Sequence, residues 1–252
     1  LGEDAFLEAT SRYGLAADSL VYVGWGTQFV DFDLDGWLDL IVTNGHVDDN
    51  RHEIGENAPY EQPPLLYRHD TNRFQLITRQ GGSYFQKPHC GRGVAVCDLD
   101  NDGDMDLVIT HQDQRPGLLR NDRLPSSADD RRPAAASITV KLVGVVSNRD
   151  AVGAALTLRS GLGTQYSQVK GGGSYLSASD LRQVFAVPPS GDTKADVDDK
   201  RDDGKSSPPI ELEIRWPSGR VTQVPGLAPG QRLLVREPAS ADQDVELFPL
   251  PE

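Results

Sequence analysis

At 252 residues the chain can bury a sizeable core without disulfide staples, and its 25 glycines and 17 prolines mark it as folded but turn-rich, which favours short strands over helices. The net charge of -13 is concentrated early: residues 1–125 carry 21 acidic against 10 basic side chains, and residues 126–252 carry 17 against 15. Such a surface repels nucleic-acid backbones and anionic lipid headgroups and favours divalent cations, and no run of 18 apolar residues offers a membrane span.

The chain begins at Leu1 and its only methionine is Met105, so it reads as cut or processed, with any secretion signal lost from its N-terminal side. The strongest organisational signal is an internal repeat. GWGTQFVDFDLDGWLDLIVTNG (24–45) lies over GRGVAVCDLDNDGDMDLVITHQ (91–112) at a constant offset of 67 residues. Each copy reads as a G-x-G opening, a short strand, an aspartate-rich loop and an apolar β-branched strand. Between the copies, LLYRHDTNRFQLIT (65–78) predicts a hairpin turning at 69–72, and GLLRND (117–122) resembles its first half. Residues 1–123 thus form two sheet units of a radially repeated structure. By composition, 124–135 is a linker.

From 136 to 237 seven short strands alternate with glycine turns: SITVKLVGVV, GAALTLRSG, TQYSQVKGGG, RQVFAVP, IELEIRWPSG, RVTQV and RLLVRE. That pattern predicts a β-sandwich or barrel. The acidic stretch 190–207 has Val197 as its one large apolar residue and is expected to be a mobile loop. Residues 238–252 read as a C-terminal tail, where Val245, Leu247, Phe248 and Leu250 could dock.

The two loops, DFDLDGWLD (31–39) and DLDNDGDMD (98–106), carry the chemistry. Calcium takes six to eight oxygens, roughly 2.3 to 2.6 Å away, and a short loop supplies them when carboxylates recur at every second residue around a tight turn. Asp31, Asp33 and Asp35 do so, as do Asp98, Asp100 and Asp102, with Gly36 and Gly103 permitting the bend. Asp39 and Asp106 close each site from the following strand, and Trp37 and Asp104 are expected to offer backbone carbonyls. An EF-hand would need a bidentate Glu at the twelfth position, where Val42 and Ile109 stand instead, so these loops join strands. Without a cation, four carboxylates in one tight loop repel one another. The larger, less demanding shell of calcium suits them better than magnesium.

Other constellations carry less. Cys90 and Cys97 would lie roughly 20 Å apart on an extended stretch, too far for a disulfide unless a tight turn at 91–93 brings them together, and read as small residues flanking a strand. His46, His52, His69, His89 and His111 show no metal-ligand spacing supported by a third carboxylate and read as hydrogen-bonded loop histidines. Ser174, Ser177 and Ser179 with Asp180 lack a nucleophile elbow and read as turn residues. A ligand pocket around Asn148, Arg149, Gly172, Tyr175 and Trp216 is a further option, and Arg215 beside Trp216 could stack inside the second unit.

D-x-D-x-D-G-x-x-D after a glycine-rich strand resembles the FG-GAP/VCBS repeat, whose copies form blades of calcium-binding β-propellers. The second half is similar to the ASPIC/UnbV domain through SNRDAVGAALTLRSG (147–161), GGGSYLSASD (171–180) and IRWPSG (214–219). Together they resemble the cartilage acidic protein family and its bacterial secreted relatives. Two departures stand out: FAVP (185–188) replaces the FGLG common in that family, and 190–207 looks like an insertion. The resemblance implies an all-β fold, with a partial β-propeller of FG-GAP-type blades in 1–123, the C-terminal part of a longer propeller, then a β-sandwich or barrel-like ASPIC/UnbV domain in 136–237. It implies a non-enzymatic, calcium-binding module for binding or adhesion, secreted or at the cell surface, or periplasmic. Calcium would be structural in the two loops, and the partner a protein or glycan, with no nucleic acid, no membrane span and room for self-association. The alternatives are a secreted enzyme or accessory subunit, with its site between the units or in a preceding part, and a structural subunit assembling through sheet edges.

Overall fold

The structure, a computed structural model, describes residues 6–50, 59–122, 136–189, 208–240 and 243–250. The expected linker (124–135) and the expected mobile insertion (190–207) lie outside the described residues.

The architecture is nearly all β. One four-residue α-helix (α1, Ala16–Ser19) precedes β1 (Gly24–Val30), β2 (Asp39–Asn44), β3 (Leu65–Asp70) and β4 (Arg73–Leu76), which form an antiparallel sheet in that order. The second unit holds β5 (Gly91–Cys97), β6 (Asp106–His111) and β7 (Gly117–Leu119) in an antiparallel sheet of three strands. The repeat survives in atomic detail. Val30 pairs with Asp39 as Cys97 pairs with Asp106, and both ladders break at the same place, between Gly24 and Thr27 and between Gly91 and Val94. The hairpin turn is tighter than 69–72, because β3 runs through Asp70 and β4 begins at Arg73.

Alternation along β2 and β3 sends side chains to two cores. Ile41 and Leu66 join Val30, Phe85, Val94, Val96, Leu107 and Ile109 in a core shared by the two sheets, whereas Leu40, Leu65 and Tyr67 pack outward against Leu15, Tyr22 and Phe74. The G-x-G glycines are explained by close approach. A Cβ on Gly26 would stand 2.5 Å from the Arg92 carbonyl oxygen and 2.8 Å from the Val94 nitrogen, so only glycine lets β1 lie this near β5. Neither sheet closes a ring.

The C-terminal half is a sandwich of two four-stranded sheets. One has the order β10 (Gly163–Gln168), β9 (Ala155–Ser160), β12 (Ile210–Arg215), β13 (Val221–Leu227). The other has the order β11 (Gln183–Val187), β8 (Ala136–Val143), β14 (Arg232–Arg236), β15 (Glu246–Pro249). Inward residues from both, including Ile138, Val140, Leu156, Leu158, Phe185, Leu212, Ile214 and Val235, make one buried core. All seven anticipated strands are present, and β14 pairs with β8 in parallel. The stretch read as a tail supplies β15, which pairs antiparallel with β14 through Leu247 and Phe248.

Segment 174–182 of the second half lies against the open edges of the first. Ser174 Oγ accepts from the Thr27 amide on β1 at 2.9 Å, Ser179 Oγ accepts from the Val96 amide on β5 at 3.2 Å, and the Asp180 amide donates to the Val96 carbonyl at 3.0 Å. Gly93, the repeat partner of Gly26, has Ser177 Oγ 2.5 Å and the Tyr175 carbonyl oxygen 3.0 Å from where a Cβ would stand. Against the second unit this segment therefore occupies the position that β5 occupies against the first. Unpaired edge groups on β1 and β5 gain partners from it.

Candidate metal centres

Each loop is shaped by two residues of positive φ at matched positions: Leu34 (56°) and Gly36 (90°) in the first, Asn101 (63°) and Gly103 (92°) in the second. The left-handed glycine is the anticipated one; the left-handed residue two positions earlier carries no signal in the aspartate spacing. Leu34 accepts that conformation because its side chain is buried.

The turns bring Asp31, Asp33 and Asp39 together, and likewise Asp98, Asp100 and Asp106, each trio with one carboxylate oxygen per residue within 4.8 Å of the others. Asp39 and Asp106 act from the first residue of β2 and β6. Asp39 accepts from the Phe32 amide at 3.0 Å and the His69 amide at 2.8 Å; Asp106 accepts from the Leu99 amide at 2.7 Å and the Asn121 amide at 2.7 Å. Each therefore ties its loop to the neighbouring chain. Asp31 accepts from the Asp35 and Gly36 amides at 3.1 and 2.9 Å. Asp35 and Asp102 each direct one carboxylate oxygen to a backbone amide, Trp37 at 2.8 Å and Asp104 at 3.1 Å, and stand outside the two trios. The Trp37 ring is exposed, edge-on to His69 at 5.4 Å, whereas the Asp104 side chain is buried.

In the first loop the electrostatics are those of carboxylates short of positive charge. Burial, reinforced by Asp35 and Asp33, pushes Asp31 up to about 7, against backbone hydrogen bonds that act downward. Burial also pushes Asp39 up to about 8, with Asp33 and Asp31 adding to it. Asp98 is raised by burial too, against Arg182, Arg232 and the Asn101 amide, and neither of its buried carboxylate oxygens makes a well-formed hydrogen bond. A buried carboxylate normally has partners, and two such oxygens facing a cluster of like groups fit a hard cation. Asp31, Asp33 and Asp39, and Asp98, Asp100 and Asp106, are the residues that would hold one.

The remaining candidates among the described residues have structural roles, and His52 lies outside the described residues. Cys90 and Cys97 are free thiols. His111 Nε2 and the Tyr84 hydroxyl lie 2.7 Å apart, His89 stacks on Tyr84, and His46 Nδ1 accepts from the Asp48 amide at 3.0 Å. Trp216 is buried with its indole N–H on Thr222 Oγ1 at 2.8 Å, Arg215 lies at the surface beside Glu213, and Tyr175 packs on Trp25 across the interface. Trp216 and Tyr175 thus make different contacts.

The motifs of the second half instead converge on a residue that local sequence does not mark. Glu237 is buried and accepts from three consecutive backbone amides, Val145, Val146 and Ser147, at 2.8, 2.9 and 2.7 Å, and from the hydroxyls of Ser147 and Ser218 at 2.9 and 2.6 Å. Burial acts upward on this carboxyl, but those donors outweigh it and hold it at about 2. The SNRDAVG and RWPSG stretches are therefore two walls of one anion nest inside the protein.

These features define a class: an all-β protein in which paired sheet units carry matched aspartate loops and dock on a β-sandwich. Family comparison agrees, with an FG-GAP-like repeat matching residues 31–109 and the ASPIC and UnbV domain matching residues 144–197. The chain thus carries an FG-GAP-like repeat followed by an ASPIC and UnbV domain. Among solved structures it is similar to a candidate cell adhesion protein from Bacteroides uniformis, with 10% identity over 91% of each chain and a TM-score of 0.24. Another, from Bacteroides ovatus, shows 9% identity over 92% of this chain and 86% of that chain, with a TM-score of 0.21. No curated protein gives a significant match. No helix among the described residues is long and apolar enough to cross a membrane.

Proposed function

We propose that this chain is a calcium-binding, non-enzymatic module of the extracellular space or cell surface, serving binding or adhesion, with calcium structural in both aspartate loops. The observation that carries the reading is the pair of matched carboxylate trios, of which Asp98 has both oxygens buried and without well-formed hydrogen bonds. Asp31, Asp33 and Asp39 would hold one ion and Asp98, Asp100 and Asp106 the other, with Asp35, Asp102 and the Trp37 and Asp104 carbonyls available to complete the shells. The ion's contribution would be charge neutralisation: it would relieve the repulsion within each loop and fix β2 and β6 to the preceding strands. The FG-GAP and ASPIC/UnbV composition supports an exported module, and the bound partner would be a protein or glycan.

The test is thermal unfolding of the chelated chain with and without calcium. A ligand bound only by the folded state at a hundredfold excess over its Kd stabilises by about 2.7 kcal/mol per site, which should raise the Tm by several degrees. Melting that does not respond to millimolar calcium, with no heat on titration, would remove the calcium reading.

A further inference from the structure

The two aspartate loops are copies in sequence but differ in what surrounds them. The difference begins at the fourth position, occupied by Leu34 in the first loop and by Asn101, 67 residues later, in the second. Leu34 turns into the core, whereas Asn101 is exposed and is reached by two guanidinium groups from the C-terminal sandwich. Arg182 Nη1 donates to Asn101 Oδ1 at 2.7 Å, and Arg232 Nη2 donates to the same oxygen at 2.6 Å. Arg182 Nη2 also donates to the Asp98 backbone carbonyl at 2.6 Å. Its Nε is held by Asp180, whose amide is bonded to Val96 on β5. Ser137, at the start of the sandwich, lies against Gly103, with its hydroxyl oxygen beside the place where a Cβ would stand. The second loop is thus clamped at 98, 101 and 103 by the other half of the molecule. By contrast, the first loop meets that half at Gly36 through Leu162, whose Cβ stands 3.5 Å from where a glycine Cβ would be.

We propose that Arg182 and Arg232 are fixed counter-cations of the second aspartate loop, which makes it the weaker of the two cation sites and couples its occupancy negatively to docking of the C-terminal unit. This inference rests on the calcium reading above and goes beyond it by making the sites unequal. Arg182 reaches the second loop at the Asp98 carbonyl and at Asn101 Oδ1, and Arg232 reaches Asn101 Oδ1, so two guanidinium groups border the carboxylates of that loop. A divalent ion entering the second loop meets two positive charges that are already anchored there, so part of the attraction of the carboxylates is cancelled. By linkage, an ion that the clamp repels must weaken the clamp by the same factor. In the metal-free protein the arginines offset the charge of the loop and hold the two halves together. Asp98 keeps two buried carboxylate oxygens without well-formed hydrogen bonds even so, which leaves the loop competent for an ion.

The experiment is calorimetric titration of the chelated full chain with calcium chloride at low salt. Two classes of site should appear, separated by about tenfold in Kd, or about 1.4 kcal/mol. D31N should abolish the tighter class and D98N the weaker. R182Q should tighten the weaker class by about tenfold and leave the tighter class unchanged. Hydrogen exchange at the Val96 amide, which bonds to Ser179, should quicken when calcium fills the weaker site of the wild-type chain. R232Q repeats the test from another strand should R182Q fail to fold. Two sites of equal affinity, or a weaker class unmoved or further weakened by both arginine variants, overturns the proposal while leaving calcium binding intact. Absence of heat from every protein overturns the calcium reading and this inference with it.

Discussion

Replacing Glu237 by Gln is the sharpest probe of how the second half is held together. The isosteric amide keeps the volume but removes the charge. With its oxygen toward the Val145, Val146 and Ser147 amides, its NH2 group must face the Ser147 and Ser218 hydroxyls, which now have to turn and accept. Hydrogen bonds to a charged acceptor are worth about 1.5–3 kcal/mol each against about 1 for neutral ones, so weakening three of them costs roughly 2–3 kcal/mol. The proton linkage gives an independent figure. A carboxyl shifted from 4.5 down to about 2 corresponds to at most about 3.4 kcal/mol. Because the folded-state value is depressed, this stabilisation is fully present above pH 4.5 and is lost as the pH falls through about 2. Urea denaturation of wild type and E237Q across pH 7 to 3 is the assay. The stability gap should be about 2–3 kcal/mol at pH 7 and should narrow steadily below pH 4.5. A gap under about 0.5 kcal/mol at pH 7, or one that does not change with pH, would refute the nest as a charge-stabilised device.

Three further outcomes follow from the geometry. Asp33→Asn and Asp100→Asn should each lower calcium stoichiometry by one ion, measured by equilibrium dialysis, because each belongs to one carboxylate trio; retention of both ions in either variant would contradict the assigned ligands. Gly26→Ala should cost about 1–3 kcal/mol in chemical denaturation, since its Cβ would meet the β5 backbone at 2.5 Å, whereas Gly172→Ala, with its nearest neighbour at 3.8 Å, should be near neutral. Ser179→Ala removes the hydroxyl shared by the Val96 amide and the Gln28 side chain; exchange at Val96 should rise with little effect on the sandwich core, which would be read by hydrogen exchange of β8 and β12.

Much of this molecule is local in origin and therefore legible in the chain. Period-two alternation and glycine punctuation mark the strands. A constant offset of 67 residues marks two copies of one unit, and the structure repeats even the ladder irregularity at Gly24–Thr27 and Gly91–Val94. Carboxylates at every second residue before a glycine place the candidate ligands, because a tight loop is a property of adjacent residues. Tertiary structure alone decided which carboxylates converge, placing Asp31, Asp33 and Asp39 in one trio while Asp35 turns to the Trp37 amide. It also decided that the serines of GGGSYLSASD cover the edges of β1 and β5, about 150 and 83 residues away in the chain. Glu237 finds its backbone donors 90 to 92 residues upstream, and Arg232 finds Asn101 across 131 residues. Nothing in the spacing of such residues reveals these meetings. They arise when two sheets bury their apolar faces, and the polar groups left at the seam must then take whichever partners packing brings near.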